Sequence, residues 1–422
     1  MQYNKTVLEN GLRIITVPMK DNPTVTVFVL VEAGSKYETK KKNGISHFLE
    51  HMCFKGTKRR PSNADISTEL DNLGSVYNAF TGQEYTGYYA KAEYHHLDKL
   101  LDIISDMYLN PIFDEKEMNK EKGVIIEEIN MYEDLPQAKV QDLILKLVYG
   151  DQPAGWNIAG SKENIKQMSR EDFVNYRNKF YTSAATTLVI SGNFNEGQVI
   201  KEVEKIFSIM PRQEKGKKEV VIDRQDKPAV SLFKKETDQT HLVLGIRTFG
   251  LYDQRERIID VLVGILDAGM SSRLFKKLRD EMGVCYYVHA SQDVFTDHGL
   301  FTVSAGVDNK RVREVISVIL KELNKLKTTL VTETELQKVK QNLAGTMYLG
   351  LESSDSLAKF LGGQEVMNKK IKTPEEIKVE IESVTAEDIR NLAQEIFVDQ
   401  GLNLAIVGRF DDKKELEDVL KF

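Results

Sequence analysis

Residues Gly44–Thr57 read GISHFLEHMCFKGT and set His47, Glu50 and His51 in the order H-x-x-E-H. On an α-helix, positions i, i+3 and i+4 share one face, so two imidazoles and a carboxylate converge on one point. A divalent zinc ion and an attacking water require that convergence, with the glutamate placed just before the second histidine. The segment Ile45–Cys53 suits a helix. It leaves the period-two pattern of the Val-rich stretch Thr24–Ala33, and Gly44 and Ser46 stand near its start. Two histidines and a glutamate also reach this spacing by chance, so the reading depends on a third ligand from elsewhere.

Outward toward the N-terminus, Lys5–Val17 reads as a hairpin about Asn10-Gly11, and Thr24–Ala33 as a third strand. Toward the C-terminus, Ala64–Leu73 is an amphipathic helix ended by Gly74. Ser75–Ala79 and Tyr85–Ala92 are strands, and His96–Tyr108 is a helix stopped by Pro111. Asp114–Tyr132 is a long helix with acidic residues in its first turn, where the helix dipole favours them. Helices follow at Gln137–Tyr149 and Ser161–Phe180, then a strand at Thr186–Ser191 and a helix at Glu196–Met210. The polar stretch PRQEKGKKEVVIDRQDKP, residues 211–228, reads as a linker.

The second half repeats this order. Strands Val230–Phe233 and His241–Thr248 precede helices Asp253–Leu266 and Ser272–Met282. Strands Cys285–Ala290 and Leu300–Val307 precede helices Val312–Lys325 and Thr332–Tyr348, and a strand at Asn403–Val407 closes the chain. Gly74-Ser75-Val76-Tyr77 aligns with Gly283-Val284-Cys285-Tyr286, 209 residues later. A repeat of that period means duplicated domains rather than a solenoid. The expected fold is α+β, two duplicated domains, each a mostly antiparallel sheet covered by helices. The expected boundaries are 1–210, a linker at 211–228, and 229–422. The second copy has no H-x-x-E-H, and where the first long helix carries Glu121 and Glu128 the second has Val339 and Thr346.

Composition excludes other classes. The chain has 422 residues, 41% of them hydrophobic and 29% charged, as ordinary globular domains have. Its apolar runs are short and interrupted, so no membrane span is expected, and nothing at the N-terminus reads as a leader. The cytoplasm is the expected compartment. A net charge of −6 with no basic stripe argues against a nucleic-acid partner. The two cysteines, Cys53 and Cys285, cannot make a disulfide framework and read as free, packing thiols.

The helix Asp114–Tyr132 offers Glu115, Glu117, Glu121, Glu127 and Glu128 as third ligand. Glu121 and Glu128, two turns apart, share a face, with Val124 and Ile125 expected between them on the same side. Glu127 is rotated by about 100°. Spacing alone leaves Glu127 and Glu128 as alternatives.

HFLEHMCFKGT, NAFTGQEYTGYYAKA and EKGVIIEEI together resemble the pitrilysin/insulinase family of zinc peptidases, the inverzincins, in the short branch typified by processing-peptidase β-subunits. The resemblance covers both halves of the chain. It implies a zinc endopeptidase acting on short or unfolded peptides inside a chamber, with one zinc per chain held by His47, His51 and Glu128. Glu50 is implied as general base for the attacking water and Glu121 as an accessory carboxylate orienting a ligand. Asn78, Ala79 and Phe80 would receive an extended peptide by strand addition. Arg279 and Tyr286 would anchor the substrate and stabilise the oxyanion, with Tyr287 the rival of Tyr286 on a strand of alternating faces. If Cys53 and Cys285 flank the site, thiol reagents would inhibit. Family chambers are built from four such domains, so two copies of this chain, or one copy and a related subunit, are expected to pair. A non-catalytic or scaffolding subunit of a processing-peptidase-like complex is the alternative function, and a structural zinc protein a third.

Overall fold

The computed structural model describes residues 1–222, 224–368 and 370–422. They form two compact units. The first comprises Met1–Ile129, Asn157–Glu219 and Leu349–Lys372; the second comprises Asn130–Trp156, Val220–Tyr348 and Thr373–Phe422.

The first unit is built on a six-stranded sheet of β1 (Asn4–Val7), β2 (Arg13–Pro18), β3 (Thr24–Val31), β4 (Val76–Thr81), β5 (Thr86–Glu93) and β6 (Thr186–Gly192). Their order across the sheet is β1-β2-β6-β3-β5-β4. Only the β2–β6 pair is parallel. The Asn10-Gly11 turn closes the first hairpin, with Gly11 at a φ of +93° that favours glycine. Strand β3, TVTVFVLV, is buried at every position from Val25 to Val31. Val25, Val27, Val29 and Val31 pack with Phe48, Leu49, Leu100 and Ile104 on one face. Phe28 and Leu30 pack with Ile15, Val17 and Val189 on the other, under Leu357, Ala358 and Leu361 of the helix Ser354–Asn368. A strand buried on both faces gains nothing from alternation.

The second unit repeats the plan with β7 (Ala229–Lys234), β8 (Gln239–Thr248), β9 (Cys285–Val294), β10 (Gly299–Asp308) and β11 (Asn403–Gly408), in the order β7-β11-β8-β10-β9. Again a single pair, β7–β11, is parallel. Without β1, the first sheet has the same order. One face of the second sheet lies under the helix Pro136–Tyr149, whose Val140, Ile144 and Val148 pack on Val243, Leu300, Ala405 and Val407.

The expected boundaries 1–210 and 229–422 are therefore corrected. Each half of the chain gives up one helix, Pro136–Tyr149 from the first and Ser354–Asn368 from the second, to cover the other half's sheet. Local periodicity shows that a helix has an apolar face, but not which sheet it covers.

The stretch 211–228 is not a free linker either. Ser183 Oγ donates to Pro211 O at 3.0 Å, Lys215 pairs with buried Glu32 at 2.7 Å, and Lys218 pairs with buried Glu84, all in the first unit. Val221 N and Ile222 N donate to Asp297 and Gln152 in the second. Asp223 lies outside the described residues. Each buried carboxylate also holds a cation of the first unit, Arg13 on Glu32 and Lys36 on Glu84, so the lysine-rich segment docks by adding a second positive charge to each.

Four α-helices after residue 349 were not anticipated: Ser354–Asn368, Pro374–Ser383, Ala386–Ile396 and the short Lys414–Glu417. In place of the expected helix Ser272–Met282 the structure has a shorter, wider π-helical segment, Phe275–Glu281. Among the described residues no helix is long and apolar enough to cross a membrane.

Candidate metal centre

The helix Ile45–Cys53 buries Phe48, Leu49, Met52 and Cys53, which leaves His47, Glu50 and His51 on its partly exposed face. Its first turn has no side-chain cap from Gly44, whose φ is +100°. Glu38 supplies one from a distance. Its Oε2 accepts from Gly44 N at 2.8 Å and Asn43 Nδ2 at 2.9 Å, and its Oε1 from Ser46 N at 2.7 Å. Burial pushes this carboxyl up to about 7, against the three donors, which favour its charged form.

His47 Nε2 and His51 Nε2 lie 3.3 Å apart, and Glu128 Oε2 is 3.7 Å from each. The three atoms thus mark a nearly equilateral triangle. Tetrahedral zinc with bonds of about 2.0–2.1 Å spaces its ligand atoms about 3.3 Å apart. His47, His51 and Glu128 are also the one group of possible metal ligands among the described residues. Glu127, the alternative left open by spacing, is exposed. Val124, expected on the inner side with Ile125, is 52% exposed while Ile125 is buried, because the helix turns Val124 past the edge of the core.

Glu121 is buried and binds His51 Nδ1 at 2.8 Å, and its other oxygen takes Lys55 Nζ at 2.6 Å. Nδ1 donates to that carboxylate, which leaves the Nε2 lone pair directed at Glu128 and His47. His47 has no such support: its Nδ1 is buried without a hydrogen-bond partner among the described residues.

Burial, helped by the neighbouring His51, pulls His47 down to about 4, so its imidazole is neutral at physiological pH. Burial pulls His51 down as well, but Glu121, Glu50 and Glu128 outweigh it and the net shift is upward. Burial lifts Glu121, and its bonds to His51 and Lys55 bring it below its ordinary value. Burial raises Glu50, opposed by the Thr81 hydroxyl and His51 and assisted by Glu128. Two crowded histidines facing two crowded carboxylates form a donor set that a divalent cation would relieve. The residues fit zinc.

Asn78, Ala79 and Phe80 lie on β4, the edge strand of the first sheet, paired with β5 on one side. Thr81, at its end, donates from Oγ1 to Glu50 Oε2 at 2.6 Å. Sequence reasoning gave no role to Thr81 or Glu38. Thr81 follows Asn78-Ala79-Phe80 directly, which was the available signal; nothing in the sequence marks Glu38.

Arg279 and Tyr286 lie in the second unit. Arg279 Nη1 donates to Cys285 O at 2.6 Å, and Tyr286 is 64% exposed. Simple alternation does not decide between the tyrosines. Gly306 and Val307 of β10 pair with Tyr287 and Cys285, so Tyr286 is the extra residue of a bulge. Tyr287 turns its hydroxyl to His241 Nδ1 at 3.0 Å.

Both cysteines are buried and free, and burial pushes Cys53 up to about 12. This runs against the expected sensitivity to thiol reagents, since the reactive species is the thiolate.

Residues 13–162 match the family described as insulinase (peptidase family M16), and residues 167–343 match the family described as peptidase M16 inactive domain. The chain is 37% identical over 396 residues to a Bacillus subtilis protein named as an uncharacterized zinc protease, covering 93% of this chain and 95% of that one. A protein of the same description from Rickettsia felis is 32% identical over 397 residues, covering 94% and 95%. A solved protease from Helicobacter pylori superposes with a TM-score of 0.89 at 22% identity, over 96% of this chain and 99% of that one. A Pseudomonas fluorescens structure titled as a peptidase M16 inactive domain does so with a TM-score of 0.89 at 15% identity, over 98% and 100%. At those identities the two structures establish the fold.

Proposed function

Because the chain belongs to the insulinase family of peptidases, family M16, we propose that it is a zinc-dependent endopeptidase of short or unfolded peptides. One observation carries the reading: His47 Nε2, His51 Nε2 and Glu128 Oε2 converge on the helix face that also carries Glu50, which is not one of the three.

His47, His51 and Glu128 would hold one zinc per chain. Bound there, zinc supplies a Lewis acid that polarises the scissile carbonyl and acidifies water. The chain's own residues do the rest. Glu121 holds the His51 ring in the tautomer that presents Nε2. Glu50 accepts a proton from the attacking water and returns it to the leaving amine; burial, which raises its proton affinity, suits both steps. The outer edge of β4, at Asn78–Phe80, pairs with the extended substrate backbone. Arg279 and Tyr286 are the candidates for anchoring substrate and stabilising the oxyanion. Two chains, identical or related, pair to enclose the site, and the compartment is the cytoplasm.

The test combines metal content with cleavage of a quenched fluorogenic peptide. The purified chain should carry about one zinc and cleave the peptide, and a chelator should abolish cleavage. Glu50→Gln should keep the zinc and lose at least about a thousandfold in kcat. Wild-type cleavage by that variant would overturn the mechanism. Zinc without cleavage in the wild-type chain would instead leave the non-catalytic subunit as the function.

A further inference from the structure

We propose that Thr81 is a positioning residue for Glu50, and that it couples the orientation of this base to the strand that receives the substrate. This rests on the peptidase reading above and deepens it.

The Thr81 hydroxyl donates to Glu50 Oε2 at 2.6 Å, the one hydrogen bond made by that carboxylate among the described residues. It occupies one oxygen and leaves the other free to take a proton. It also fixes the side-chain torsions, which would otherwise let a half-buried glutamate swing away from the metal ligands on its own helix. A single charge-assisted hydrogen bond of this length is strong enough to hold one rotamer.

The hydroxyl is itself held firmly. Thr81 is β-branched and sits in a strand, so its χ1 has few choices. The turn that follows is anchored from several sides within the first unit. Gly82 N donates to Tyr85 O at 2.9 Å, Gly82 O accepts from Ser35 N at 3.2 Å, and Gln83 O accepts from Lys36 N at 2.8 Å. A Cβ on Gly34 would stand 2.3 Å from Gly82 O, so the two backbones meet as closely as glycine permits. Glu84, also buried, carries Lys36 Nζ at 3.0 Å and Lys218 Nζ. A threonine with no functional load would not need a turn tied down by two buried lysine pairs.

Position gives the hydroxyl its second property. Asn78, Ala79 and Phe80, the residues assigned to substrate pairing, immediately precede it on the same strand. A peptide seated on the outer edge of β4 would draw directly on the segment that carries the donor to Glu50.

The test replaces Thr81 with Val, which keeps shape and β-branching but removes the donor. On a fluorogenic peptide, Thr81→Val should lower kcat about ten- to hundredfold and change KM by less than about twofold. Zinc content and zinc affinity, measured by chelator competition without substrate, should match wild type. Thr81→Ser, which restores the hydroxyl, should recover most of the lost kcat. If the Val variant folds poorly, Thr81→Ala takes its place with the same expected outcomes. Wild-type kcat in the donor-less variant, a change in KM alone, a loss of zinc, or a Ser variant as impaired as Val would each overturn the proposal. Zinc binding without any cleavage by the wild-type chain would overturn the peptidase reading itself, and an active Glu50→Gln the role of Glu50, which keeps these failures distinct.

Discussion

The two metal-site histidines are held unequally, and the difference has a measurable consequence. His51 has Glu121 behind it and Lys55 behind Glu121, whereas Nδ1 of His47 is buried with no partner among the described residues. Glu121→Gln should therefore weaken zinc binding about 10- to 100-fold, as loss of a partner behind a metal ligand typically does. Chelator competition checks this; unchanged affinity would mean that helix packing alone orients His51. At this scale the sequence was readable only where chemistry is local. The spacing of His47, Glu50 and His51 follows from one helix turn, and the triangle they make with Glu128 uses a face that helical phase could outline but not choose between Glu127 and Glu128. Thr81 and Glu38 reach the site through tertiary contacts that leave no spacing to read.

The helix Ile45–Cys53 begins at a glycine and depends on a carboxylate six residues upstream for its cap. Glu38→Gln replaces one acceptor oxygen with a donor that faces backbone N–H groups. The variant should lose about 1–2 kcal/mol of stability, the usual worth of a helix cap, in a denaturant titration. Zinc should recover part of that loss, because binding favours the ordered helix. A midpoint equal to wild type would show the cap to be dispensable. Most elements were legible from period and stop signals, because the strands of the two sheets are apolar enough and the helices amphipathic enough to declare themselves. Helices after residue 349 carried signals too. Thr373-Pro374 with Glu376, and Thr385 with Asp388, form capping boxes. Ser354–Asn368 was harder, since Gly362 and Gly363 lower its propensity, and Gly362 is needed where a Cβ would meet Leu30 at 2.4 Å.

Across the whole chain, duplication was visible in the order of elements and the exchange of helices was not, because contact between distant segments has no local period. The exchange predicts how the chain can be cut. A fragment of residues 1–219 lacks the helix Ser354–Asn368 and uncovers Ile15, Val17, Phe28, Leu30 and Val189. It should bind a hydrophobic dye and melt without a sharp transition, and supplying residues 349–372 as a separate peptide should restore cooperativity. A fragment that melts as sharply as the full chain would contradict this. The same exchange bears on synthesis. When the last strand of the first sheet, Thr186–Gly192, has been made, one face of that sheet has no cover, and the missing helix, which begins at Ser354, is still about 160 residues from being made. At roughly 5–20 residues per second, that face stays bare for on the order of ten seconds. The amino-terminal part of this protein cannot finish folding in the order in which it is translated, and must either be shielded by a chaperone or wait for its own distant end.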